Sequence, residues 1–147
     1  DVDKATKTFK EALVLSPEGQ QAAEIHFHLG ALHETRKEPD KALEFYEKAA
    51  NMNGGEISAR ARFQMAAIQE SLGEHDSAAR NYMRLAILFV HETLSPEALW
   101  RAGNCYRKLG NNDQAKSVFE ELITDYPDSG FASQAKNLLD DPKKATE

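Results

Sequence analysis

Three columns of residues recur at one spacing along this chain, and that recurrence limits the fold more than any single motif does. Ala5, Ala42, Ala78 and Ala115 stand 37, 36 and 37 residues apart. Phe9, Tyr46, Tyr82 and Phe119 take the same steps, and Gly30, Ala66 and Gly103 follow at 36 and 37. A period in this range marks a stack of supersecondary units, none of which can bury its apolar face alone. The fullest copy runs from Ala98 to Pro127, ALWRAGNCYRKLGNNDQAKSVFEELITDYP. Its apolar residues recur at helical spacing on either side of Leu109–Gly110, so each unit is a helix, a turn and a helix.

Laid along the chain, the period predicts an ordered set of elements. Residues 1–17 are the second helix of a unit whose first helix is expected before it, with Asp1 as N-cap, Phe9 and Leu13 on the apolar face and Ser16–Pro17 as its end. Full units follow at 20–54, 56–91 and 95–127, then a capping helix at 129–140 and a tail at 142–147. Pro39 suits the first turn of a second helix, where its missing N–H is not needed. Ser95 and Pro96 read as N-cap and first helical residue, and Asn111 with Gln114 as a capping box. Asn53–Gly54–Gly55 reads as a flexible turn. The repeating small residues allow close helix crossing, and the aromatic column plugs the seam between units.

These columns resemble the tetratricopeptide repeat family over about residues 1–140. Gly103, Tyr106, Leu109–Gly110, Ala115, Phe119 and Pro127 carry the resemblance. The earlier units depart from the pattern: Lys37 stands where a turn glycine is usual, His33 and Gln69 replace a tyrosine, and Gly54 and Val90 replace the closing proline. The implied fold is an all-α right-handed superhelix of antiparallel helix pairs. Unit lengths above 34 and the segment Tyr126–Pro127–Asp128–Ser129 are similar to arrays of bacterial envelope proteins, leaving the compartment open between envelope and cytoplasm.

Composition narrows the functions. Acidic residues outnumber basic ones 24 to 18, a net charge of −6, which argues against nucleic acid or an anionic membrane as partner. No apolar run approaches the ~18 residues of a transmembrane helix. The single cysteine, Cys105, falls mid-helix in a small-residue slot and reads as packing. Five histidines, His26, His28, His33, His75 and His91, offer no HExxH or Cys/His cluster, so no metal is expected. With no phosphate loop, GxSxG or distinct carboxylate pair, no enzyme and no cofactor is expected.

The resemblance implies that first helices line a concave, partner-binding face. That face selects Phe27, Ala31 and Glu34, then Phe63, Ala67 and Glu70, then Trp100, Arg101, Asn104 and Arg107. A peptide or partner helix could dock apolar side chains on the aromatics. The alternative for Phe27, Phe63 and Trp100 is packing against the neighbouring unit. The Lys, Asn and Arg set that grips a C-terminal carboxylate in chaperone-binding relatives is not reproduced. The expected function is a non-catalytic scaffold for a protein or peptide. The alternative is a structural segment that self-associates through its N-terminal edge around Phe9 and Leu13.

Overall fold

The computed structural model describes residues 2–52, 55–89 and 93–141. Its helices are α1 (Val2–Leu15), α2 (Gly19–Thr35), α3 (Pro39–Asn51), α4 (Glu56–Ser71), α5 (His75–Leu88), α6 (Leu94–Lys108), α7 (Asn112–Asp125) and α8 (Gly130–Asp140). The expected cap at Asp1, the turn at Asn53–Gly54, Val90, His91 and the tail 142–147 lie outside the described residues. Contacts divide the chain into two compact units, residues 1–68 and 69–147. No described helix is long and apolar enough to cross a membrane.

In residues 1–68, α2 packs on α3 and α1 on α2. The crossing of α2 and α3 is set by Gly30: a Cβ there would lie 2.7 Å from Cδ1 of the buried Tyr46 ring. Around Tyr46 gather Phe27 from α2, Ala42, Ala49 and Ala50 from α3, and Ala61, Met65 and Ile68 from α4. The aromatic column thus sits first within its own helix pair, over a small residue, and only then meets the next first helix. In residues 69–147, Gly103 and Phe119 repeat the arrangement, and a Cβ on Gly103 would again overlap the ring. Tyr82, Leu85, Leu99, Cys105 and Leu122 complete a fully buried set there.

The turn between the helices of a unit is the same three times. Lys37, Gly73 and Gly110 have φ of 58°, 79° and 75°. Each is followed by a residue whose N–H reaches back five positions: Glu38 to His33, Glu74 to Gln69 and Asn111 to Tyr106. This is the glycine-type helix stop, and its left-handed residue is costly for any side chain bearing a Cβ. Lys37 adopts it all the same. A clasp stands across that turn: His33 Nδ1 lies 2.6 Å from Glu38 Oε2. The hydrogen bond from His33, then that from Lys41, holds the Glu38 carboxyl below its ordinary range.

Two sequence expectations about helix starts are corrected. Helix α6 begins at Leu94, and Ser95 is not its N-cap; its buried hydroxyl donates to Phe89 O at 2.8 Å. Ser58, 37 residues earlier, has its Oγ 2.8 Å from both Ala49 O and Met52 O. Both serines satisfy carbonyls that the preceding second helix leaves open at its C-terminus. Asn111 stands at the N-cap of α7, yet its side chain makes no capping bond, so the capping box is not formed. Ser129 does cap α8, accepting from Ala132 N at 3.0 Å.

Two substitutions of opposite sign follow. Lys37→Gly removes the left-handed strain and stabilises by about 0.5–1 kcal/mol in chemical denaturation. Gly103→Ala forces the buried Phe119 ring off its seat and destabilises by about 1–3 kcal/mol.

Candidate functional site

The first-helix residues expected to form a binding face fall into both units, and each unit treats them differently. In residues 1–68, Phe27 is buried, its ring 5.5 Å from that of Tyr46 and 5.8 Å from that of His28. The Arg60 guanidinium lies 5.3 Å over the same ring. Ala31, Phe63 and Ala67 are half-buried. Glu34 is exposed as a residue, and its carboxylate accepts the Tyr46 hydroxyl at 2.8 Å.

In residues 69–147 the expected residues come together. Glu70 on α4, Trp100, Arg101 and Asn104 on α6 line one cleft of about 350 Å³, joined by Glu97, Lys108 and Phe131. The indole packs at a tilt on Phe119, ring centroids 5.3 Å apart. Arg101 bridges two carboxylates: its Nε donates to Glu97 Oε1 at 2.9 Å and its Nη1 to Glu70 Oε2 at 3.3 Å. The same Glu70 oxygen accepts the Tyr82 hydroxyl at 3.0 Å. Asn104 Nδ2 donates to Trp100 O, and Asn104 Oδ1 accepts from Arg107. Arg107 itself lines a different cleft, with Lys116, Phe119 and Leu138.

The two glutamates have a partner in the core that the sequence spacing already encodes. Tyr46 and Tyr82 stand twelve residues after Glu34 and Glu70, and each donates its hydroxyl there. Where the third unit has Phe119, the matching position is Arg107. Burial, then the neighbouring Glu70, raises the Tyr82 hydroxyl's pKa; burial, then the bond to Glu34, does the same for Tyr46. Burial also pushes the Cys105 thiol up to about 11, with Glu70 adding to it, so the thiol stays protonated.

Sequence reading missed Glu97, Lys108 and Phe131. Glu97 and Lys108 stand three before and eight after Trp100 on one helix, a spacing visible in advance. Phe131 arrives from α8 and had no local signal. Among the described residues, His26, His28 and His33 pack on aromatic rings. His33 and His26 both stack on Phe45, at 5.2 and 6.0 Å, and burial followed by Lys48 lowers the His26 pKa. Among the described residues no three His, Cys, Asp or Glu side chains form a metal-ligand group.

Two tetratricopeptide repeat profiles match, over residues 1–59 and 97–129. The chain belongs to the tetratricopeptide repeat family. Its fold is accordingly a helical solenoid of paired helices, also found in solved structures. A tetratricopeptide repeat protein from Parabacteroides merdae superposes with a TM-score of 0.72 at 23% identity, over 92% of this chain and 51% of that one. YrrB, described as a tetratricopeptide repeat protein with an unusual peptide-binding site, gives 0.64 at 24% identity, over 93% and 66%. Among curated proteins, the aspartyl/asparaginyl beta-hydroxylases of Mus musculus and Homo sapiens are 27% and 26% identical over 140 residues. The match takes in 89% of this chain but 18% of each hydroxylase, so it carries no activity across. The family membership makes the chain a protein-interaction scaffold.

The buried phenols and thiol give a pH dependence of known sign. Their folded pKa values lie above the unfolded ones, so their contribution is complete below about 9–10 and is lost as pH climbs beyond it. Tyr82→Phe is expected to cost about 1–2 kcal/mol at pH 7, through the lost hydroxyl–carboxylate bond. Between pH 9 and 11 the variant should then lose less stability than the parent, measured by urea denaturation at each pH.

Proposed function

We propose that this scaffold binds an extended peptide or a partner helix on its first-helix face, and that the α6 cleft of residues 69–147 is the principal seat. The observation that carries the reading is the cleft itself, lined by the aromatic rings of Trp100 and Phe131 together with the polar Asn104 and Arg101. Trp and Arg are the residue types that most often dominate binding energy at interfaces. An apolar wall beside a few fixed polar groups is also the usual composition of a small recognition site. The ion pairs of Arg101 with Glu70 and Glu97 hold that edge in one geometry before a ligand arrives, lowering the ordering cost of binding. Phe27 serves the scaffold differently: beneath Arg60 and against Tyr46, it contributes to the core.

Peptides selected from a random library on the full chain provide the test. Trp100→Ala and Phe131→Ala should each weaken their binding at least tenfold with helicity unchanged by circular dichroism. Unchanged binding in both variants would remove the cleft as the seat, and lost helicity in Trp100→Ala alone would make its indole a core element.

A second reading, self-association through the N-terminal helices, is favoured by one observation. Val14 and Leu15 on α1 are 81% and 85% exposed, beside a cleft of about 440 Å³ lined by Phe9, Ala12 and Ile25. Light scattering over a wide concentration range should then give a mass that rises with concentration and falls back in Leu15→Lys. A constant monomer mass removes this reading.

A further inference from the structure

The geometry points to a basic side chain, an arginine or lysine of the bound peptide, as the group the α6 cleft takes: it would lie over the Trp100 indole and pair with Glu97. This rests on the peptide-binding reading of the same cleft and adds the chemistry of the anchoring residue.

The chain makes such a contact within itself. The Arg60 guanidinium of α4 lies 5.3 Å over the Phe27 ring of α2, inside the range at which a cation is held by a ring face. Phe27 and Trp100 occupy the same place in their helices. Each stands three residues before the small residue of the crossing, Gly30 or Gly103, and three after a glutamate, Glu24 or Glu97. In residues 1–68 the following first helix supplies the cation. In residues 69–147 the following first helix is α8. There α8 contributes no cation to the lining of the cleft. Helix α8 brings Phe131 to the cleft instead, and a space of about 350 Å³ adjoins an indole, the aromatic face with the strongest hold on a cation.

The charges favour the same occupant. Glu97 lies one turn from Trp100 on the same helical face, and Glu70 stands nearby on α4; together they oppose one guanidinium, that of Arg101. Lys108, the other cation of the lining, is eight residues further along α6, about 12 Å by helical rise. A carboxylate accepts several donors, so Glu97 can serve Arg101 and a ligand at once. An acidic ligand residue would meet like charge at this end. An aliphatic one would strip water from two carboxylates and return no hydrogen bond.

The test uses dodecapeptides selected from a random phage-displayed library on the full 147-residue chain, then synthesised with blocked ends. Trp100 is the single tryptophan, so its emission reports directly on occupancy of the cleft. Fluorescence anisotropy of labelled peptide gives the affinity for variants. Expected are peptides that shift Trp100 emission and carry an Arg or Lys whose replacement by citrulline or acetyl-lysine weakens binding at least fivefold. Trp100→Leu should level that difference, Glu97→Gln should halve it or more, and Trp100→Phe should keep part of it. If Trp100→Leu loses helicity, Trp100→Phe and Glu97→Gln decide. Peptides that shift Trp100 emission yet tolerate citrulline would overturn the cation and leave the peptide seat standing. Selected peptides that leave Trp100 untouched, or a library yielding none, would overturn both.

Discussion

The close crossing of two helices over one small residue is what the rest of this structure depends on. Tyr46 lies on Gly30 and Phe119 lies on Gly103, each ring nearer than an added Cβ would allow. With the ring seated there, the second helix reaches its neighbours through alanines that are fully buried, Ala42 and Ala49 in one pair and Ala115 in the other. In these two pairs a large aromatic set against a glycine is a packing solution that depends on both partners. It explains why the two columns share one period. Burying such a ring contributes on the order of 3–5 kcal/mol, enough to decide whether a helix pair holds.

Around that fixed crossing the chain varies its chemistry while keeping its geometry. The positions 33 and 45 hold a histidine stacked on a phenylalanine, and positions 69 and 81 hold an amide pair at 2.8 Å. The next pair of positions, twelve residues apart like the others, holds Tyr106 and Val118. Position 34 and its repeats follow the same logic: a glutamate where the ring has a hydroxyl, an arginine where it does not. The backbone turn beneath them is held by its own hydrogen bonds, the same ones in all three units. That turn tolerates even Lys37 in a left-handed conformation, helped by the clasp of His33 on Glu38.

Function rides on the residues that this scheme leaves over. Glu34 and Glu70 stood out in the sequence as ligands, yet both carboxylates also complete hydrogen bonds to core tyrosines. A residue on a binding face can thus be half committed to the fold, and Glu70 joins the two through Arg101. Trp100 divides in the same way, packing on Phe119 while also lining the cleft.

The sequence by itself determined the helix pairs, their period, the stop at each turn and the small-to-aromatic crossings. Those features depend on neighbours within about forty residues, and periodicity reports them directly. It also placed Ser95 and Asn111 at helix starts, but the Ser95 hydroxyl goes to a carbonyl that only the folded chain brings near, and the Asn111 side chain makes no capping bond. Tertiary structure alone decided that Phe27 is covered by Arg60 whereas Trp100 borders a cleft. The two occupy equivalent places in the repeat, so no local pattern distinguishes them. What differs is the helix that follows: α4 delivers a guanidinium to Phe27, and α8 delivers Phe131 to the space beside Trp100.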